Sequence, residues 1–79
     1  MESFAIDVVL ELPGLRCPMP LLKTKQALSS MDAGHILKVV ATDVGSWRDI
    51  PAFISLSKHV LIKQEKTEIH YIFIIKKGE

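Results

Sequence analysis

The spacing of the apolar residues changes several times along the chain, and the order of these spacings limits the fold more than any other feature. From Phe4 to Leu10, apolar residues occupy every second position, a period typical of a β-strand. Farther along, Leu21, Leu28 and Met31 recur at helical spacing, which predicts a first helix. This helix is predicted to end at Asp32-Ala33-Gly34, where the glycine is a suitable stop.

The second half of the chain contains one more helix and three more strands. The predicted strands are Ile36 to Thr42, Val60 to Glu65 and Ile69 to Lys77, the last two joined by a turn near Lys66-Thr67-Glu68. A helix running to about Ser57 lies between the first two of these strands. Its start has two interpretations. Ser46 with Asp49 resembles a capping box, whereas Asp49 as the N-cap suits Pro51 better, and we prefer the second.

The predicted order of elements is therefore β-α-β-α-β-β. Right-handed crossovers place both helices on one face of a four-stranded sheet, which gives an α+β fold, a two-layer α/β sandwich. The sheet is predicted to be mixed, with its final pair of strands antiparallel. A chain of 79 residues has no room for a second core, so we expect a single domain over residues 1–79.

Composition excludes several classes of protein. Hydrophobic residues make up 48% of the chain, which argues against disorder, and the net charge of only +1 offers no broad surface for nucleic acid or for an anionic membrane. We therefore expect no direct nucleic acid binding. The single cysteine cannot form an internal disulfide, which favours the cytoplasm. The amino-terminal residues lack the features of a signal peptide, and no apolar run approaches the roughly 18 residues of a membrane helix.

The segment Arg16-Cys17-Pro18-Met19-Pro20 is an unusual start for a helix. If Cys17 is the N-cap, Pro18 and Pro20 occupy the first and third helical positions, and the free N–H groups nearest the sulfur are those of Cys17 and Met19. The positive end of the helix dipole and Arg16 would both favour an anionic sulfur, so this arrangement predicts a lowered pKa for Cys17. The alternative is a buried, structural cysteine.

Together with the predicted order of elements, Gly14-Leu15-Arg16-Cys17-Pro18-Met19-Pro20 resembles the G-L-x-C-P-x-P signature of the TusA-like (SirA-like) sulfur-carrier family. Gly34-His35 and Asp49-Ile50-Pro51-Ala52-Phe53 extend the likeness over most of the chain. The resemblance implies that Cys17 accepts sulfane sulfur from a cysteine desulfurase or a rhodanese-like protein and passes it to an acceptor protein. Relatives serve tRNA thiolation, sulfur oxidation and molybdenum-cofactor synthesis. Gly14 would let the chain turn into the loop that the two prolines shape.

Other readings remain open. The chain could be a regulatory or interaction domain whose cysteine is structural or redox-sensing. A thiol–disulfide enzyme is a weaker alternative because no resolving cysteine is present.

Asp43 and Asp49 could form a functional pair, although helix capping explains at least one of them. Trp47 is either a core residue or a partner anchor, and the loop that carries His59 could approach Cys17. The histidines are too scattered for a zinc site, and no metal or cofactor is expected.

Overall fold

The computed structural model describes residues 5–79, so the predicted strand residue Phe4 lies outside the described part of the chain. Six elements follow one another in the predicted order. They are β1 (Val8–Leu12), α1 (Met19–Ser29), β2 (Ile36–Ala41), α2 (Ser46–Ser55), β3 (Val60–Lys66) and β4 (Tyr71–Lys76). Among the described residues, neither helix is long and apolar enough to cross a membrane.

The four strands form one sheet in the order β1-β2-β4-β3. Strands β1 and β2 are parallel, whereas β4 runs antiparallel to both β2 and β3. Buried residues alternate along β2 at Leu37, Val39 and Ala41, because successive side chains of a strand point to opposite faces of the sheet. The predicted α+β sandwich with a mixed sheet and an antiparallel final pair is therefore confirmed.

The hydrophobic core lies between the sheet and the helices. Val39 of β2 pairs with Phe73 of β4, and both side chains are fully buried. Ile50 and Ile54 of α2 and Leu28 of α1 complete the same cluster from the helical side. Leu28 is one of the residues at helical spacing, so its burial agrees with the predicted period of the first helix. The Ile36 to Thr42 segment is apolar at successive positions, and the structure fully buries only Leu37, Val39 and Ala41 of it.

The first strand begins at Val8, later than predicted. Leu10 packs against the core as its alternating position requires, and Leu12 is buried, whereas Val8 is exposed. Asp7 precedes the strand: its N–H donates to the Ile36 carbonyl at 2.9 Å, and its Oδ2 accepts from the Ile36 N–H at 2.7 Å. At the other end, β1 runs past the predicted limit of Leu10 because Leu12 still pairs with Ala41. The bounds of the strand thus follow its pairing with β2.

The first helix ends at Ser29 rather than at Gly34, so the predicted end is wrong. The hydroxyls of Ser29 and Ser30 donate to the carbonyls of Gln26 and Ala27 at 2.8 and 3.0 Å, which satisfies backbone groups of the last turn. Gly34 has a φ of +92° and its N–H donates to the Lys77 carbonyl at 2.9 Å. The glycine therefore serves the turn that leads into β2.

The second helix begins at Ser46, with Gly45 as its N-cap, so the preferred prediction of Asp49 as the N-cap is wrong. Pro51 consequently lies inside the helix, where it has no N–H to offer the carbonyl four residues earlier. That carbonyl belongs to Trp47, and it accepts a 2.9 Å hydrogen bond from the Gln64 side chain of β3. Because a tertiary contact satisfies the carbonyl, the helix accommodates the proline.

The final hairpin closes over four residues. The Thr67 N–H donates to the His70 carbonyl at 2.9 Å, and the His70 N–H donates back to Thr67 Oγ1 at 2.9 Å. These bonds hold Ile69 in the turn, where 69% of it is exposed. Strand β4 therefore starts at Tyr71 and not at Ile69, as predicted from the apolar run.

His59 lies beyond the carboxyl end of α2, whereas Cys17 contacts the amino end of that helix, so the expected approach of His59 to Cys17 is wrong. Its Nδ1 accepts a 2.9 Å hydrogen bond from the Gly78 N–H, and its ring lies against Phe53, 6.0 Å between centroids. Burial, and secondarily the positive charge of Lys77, lower the pKa of His59 below its ordinary value.

Acidification is therefore expected to destabilise the fold through His59. As the pH falls through about 6.5, the ordinary pKa of histidine, His59 takes up a proton more readily in the unfolded chain than in the folded chain. The free energy of unfolding therefore decreases as the pH falls. We expect His59→Gln to lose less stability than the unmodified chain between pH 7.5 and 5, measured by urea unfolding. Equal losses in the two proteins would contradict this assignment.

Candidate functional site

Cys17 lies at the edge of the sheet where the parallel strands β1 and β2 end. The loop from Pro13 to Pro18 follows β1 and carries Cys17, and the loop from Thr42 to Gly45 follows β2. Since parallel neighbouring strands end at the same edge, their following loops meet there. The Gly14 N–H, which donates to Thr42 Oγ1 at 2.9 Å, joins the two loops directly.

The chain makes a turn at Cys17 before the helix starts. The Met19 N–H donates to the Arg16 carbonyl at 2.8 Å across the turn, and the Cys17–Pro18 peptide bond is cis. Helix α1 begins at Met19 with Pro18 as the residue before it. The prediction of Cys17 as the N-cap is therefore wrong, and the Met19 N–H is not a free donor near the sulfur.

Two other residues of the signature fix this loop. Gly14 has a φ of +76°, in the left-handed region that favours glycine, so it turns the chain toward Cys17. Pro20 is fully buried, and its carbonyl accepts a 2.8 Å hydrogen bond from the buried Thr24 hydroxyl. The loop is thus anchored on both sides of an exposed cysteine.

The nearest polar partner of Cys17 comes from the other helix. The Cys17 Sγ–H donates to Asp49 Oδ2 at 3.2 Å, which lies within hydrogen-bond range for sulfur. The second carboxylate oxygen, Oδ1, lies 3.6 Å from Nε of Arg48, whose side chain is largely exposed. Asp49 occupies the first turn of α2, so its position depends on where that helix starts.

Gly45 provides the space in which these groups meet. A Cβ atom at this position would lie 2.8 Å from Asp43 Oδ2, 3.6 Å from the Cys17 Cβ and 3.8 Å from Asp49 Oδ2. Asp43 Oδ2 is itself buried and has no hydrogen-bond partner within residues 5–79. The structure thus brings Cys17, Asp43 and Asp49 together around a residue without a side chain.

The surroundings of Cys17 raise the pKa of its thiol above the ordinary value. The hydrogen bond to Asp49 is the largest cause, followed by burial and by the negative charges of Asp49 and Asp43, while Arg48 acts in the opposite direction. The negative charge of each carboxylate disfavours the negatively charged thiolate form of Cys17. The predicted lowering of the pKa is therefore wrong, and in the free protein Cys17 favours its protonated form.

Sequence reasoning missed Gly45 and Arg48. It named Asp43 and Asp49 as a possible functional pair but preferred helix capping, and it did not predict that Asp49 contacts Cys17. One available signal was the predicted β-α-β order at the start of the chain, since a right-handed crossover makes two neighbouring strands parallel and brings the loops after them to one edge. His59 does not join this group. Among the described residues, no cluster of three or more histidine, cysteine or acidic side chains is arranged to hold a metal ion.

Exposed apolar side chains lie on the same loops and first helical turns. Met19 and Leu22 follow Cys17 on α1, while Val44 and Trp47 flank Gly45, and each is at least 37% exposed. The Trp47 ring also packs on Tyr71 and Phe73, with centroid distances of 5.9 and 6.2 Å. Trp47 therefore covers part of the core, as the first of its two predicted roles requires, whereas its role as a partner anchor stays a prediction.

The amino-acid sequence is similar to those of known proteins. The family model of the sulfurtransferase TusA matches residues 8–77. The sulfur carrier protein TusA of Pseudomonas putida strain GB-1 is 38% identical over 77 residues, which are 98% of this chain and 96% of that protein. A longer relative from Aquifex aeolicus is 40% identical over 99% of this chain, but the chain spans only 40% of its length.

A solved structure shows the same fold. The crystal structure of a SirA-like protein from Desulfitobacterium hafniense superposes with a TM-score of 0.77, covering 91% of this chain and 99% of that one, at 22% sequence identity. This likeness concerns the fold, whereas the family model and the Pseudomonas relative concern the sequence. On those two matches, the chain belongs to the TusA family.

Proposed function

We propose that this protein is a sulfur carrier that holds sulfane sulfur as a persulfide on Cys17. The observation that carries the proposal is an exposed cysteine on an anchored loop, with a hydrogen-bonded carboxylate beside it. The TusA family and its curated sulfur carriers support the same role. A carrier has to present its sulfur to other proteins, which suits a thiol at the surface better than one in a deep pocket.

The transfer step exchanges one sulfur–sulfur bond for another. The Cys17 thiolate attacks the outer sulfur of a donor persulfide, R–S–SH, so that a bond forms between Sγ and that sulfur while the donor's bond breaks. The donor cysteine leaves as a thiolate and takes up, through solvent, the proton that Cys17 lost. No electrons are gained or lost overall, and the step requires no cofactor. The same exchange in the next step passes the sulfur to an acceptor thiol.

The partners are a sulfur donor and a sulfur acceptor, both proteins. A cysteine desulfurase or a rhodanese-like protein would be the donor, and the acceptor would belong to tRNA thiolation, sulfur oxidation or cofactor synthesis. The exposed residues Met19, Leu22, Val44 and Trp47 give such proteins apolar surface next to the sulfur. A free thiol suits the reducing cytoplasm, where we place the protein.

Intact-protein mass spectrometry tests the proposal. The reduced chain is incubated with a cysteine desulfurase, cysteine and pyridoxal phosphate, and, in parallel, with a rhodanese and thiosulfate. A gain of one sulfur atom that disappears on reduction, and that moves to an added acceptor thiol protein, is the expected result. Absence of any gain from both donors would overturn the proposal.

A further inference from the structure

We propose that Asp49 is a positioning residue for Cys17: its carboxylate holds the thiol in the free protein and, together with Asp43, makes the site disfavour anionic sulfur donors. This inference rests on the proposed carrier function of Cys17 and adds the class of reagent that the site disfavours. A free anion such as thiosulfate would react with Cys17 more slowly than an uncharged reagent of similar reactivity.

The geometry gives Asp49 two effects on the sulfur. Its Oδ2 accepts the thiol hydrogen bond at 3.2 Å, which fixes the direction of the S–H bond. The same oxygen places a negative charge where a sulfur anion would form or arrive. Asp43 adds a second negative charge on the other side of Gly45, and its buried Oδ2 has no hydrogen-bond partner among the described residues to disperse that charge.

The nearby positive charges offset this field only in part. Arg48 lies 3.6 Å from the outer oxygen of Asp49, but its side chain is 87% exposed, so solvent screens its charge. Arg16, the other cation next to the cysteine, is also exposed. The carboxylates are partly buried and Asp49 contacts the sulfur directly, and their combined effect raises the pKa of Cys17 despite Arg48.

Alkylation with two reagents of different charge tests the inference without any sulfur donor. Iodoacetamide is neutral and iodoacetate is anionic, and both react with the Cys17 thiolate. The ratio of their rates therefore does not depend on the fraction of thiolate, and it reports the electrostatic potential at the sulfur. The pH dependence of the iodoacetamide rate reports the ionisation of the thiol separately.

Asp49→Asn removes the charge and keeps the shape of the side chain. We expect the iodoacetate-to-iodoacetamide ratio to rise about threefold to fivefold, and the iodoacetamide profile to move to lower pH. The rise in the ratio should shrink at about 1 M salt, where the screening length is about 3 Å. Asp32→Asn is the matched control, because this exposed aspartate lies beyond the far end of α1.

The outcomes separate this inference from the carrier function. If the ratio and the pH profile of Asp49→Asn equal those of Asp32→Asn, Asp49 has no such role, whether or not Cys17 carries sulfur. Asp49→Glu, which restores the charge, should return the ratio toward that of the unmodified chain. A ratio as high as that of Asp49→Asn would contradict an electrostatic cause. The donor-loading experiment on the unmodified chain tests the carrier function independently.

Discussion

Cys17→Ser is expected to abolish sulfur loading from every donor, which is the largest functional effect of any single substitution in this chain. Serine retains the size of the side chain and can still donate a hydrogen bond to Asp49. Its oxygen, however, cannot form a persulfide, and no other residue of the chain has a thiol to replace it. Mass spectrometry after incubation with the donor should show no species heavier by one sulfur atom.

The fold of this variant should be intact. Cys17 is exposed, so the free energy of unfolding should change by no more than roughly 0.5 kcal/mol. Loss of loading therefore reports chemistry rather than unfolding. Asp32→Asn, in an exposed position beyond the far end of α1, is the control and should load sulfur like the unmodified chain. If Cys17→Ser still gained and relayed sulfur, Cys17 would not be the carrier residue. If cells with this variant in place of the unmodified protein showed no defect, the interaction-domain alternative would replace the carrier function.

Phe73→Ala is expected to cause the largest loss of stability. Phe73 is the largest of the fully buried side chains, and it belongs to the core between the sheet and the helices. Removing a buried phenylalanine typically costs about 3–5 kcal/mol, because apolar contacts are lost and a cavity remains. A chain of 79 residues has roughly 4–12 kcal/mol in total. The variant should therefore lose a large part of its stability, and it should be unfolded if the total lies at the lower end of that range.

Urea unfolding measures the effect, with the fluorescence of Trp47 as a probe of the core, since its ring lies 6.2 Å from that of Phe73. Phe73→Leu retains most of the apolar volume and should give a folded protein with a smaller loss, which keeps the comparison measurable. Ile69→Ala in the exposed turn is the control and should change stability little. A loss for Phe73→Ala no greater than that of Ile69→Ala would contradict the assigned core.

The fold could be predicted because its determinants are local and repeated. Apolar residues at alternate positions around Leu10, a continuous apolar run in the Ile36 to Thr42 segment and a helical period through Leu28 predict the type of each element and its apolar sides. Burying those sides together leaves few arrangements for six elements of these lengths. Errors were confined to the ends of elements, where hydrogen bonds between distant residues decide. The bond between Asp7 and Ile36 and the bonds of Thr67 with His70 are examples.

The sequence by itself determined that Cys17 is the lone thiol and that proline and glycine shape its loop, because these properties depend on residue type and on neighbours in the chain. Only the tertiary structure decided its chemical surroundings. Asp49 lies 32 positions away, and it reaches the sulfur because parallel strands bring the loops after β1 and β2 to one edge. The direction of the Cys17 pKa shift depends on that contact, since electrostatic effects follow distance in space and not separation along the chain.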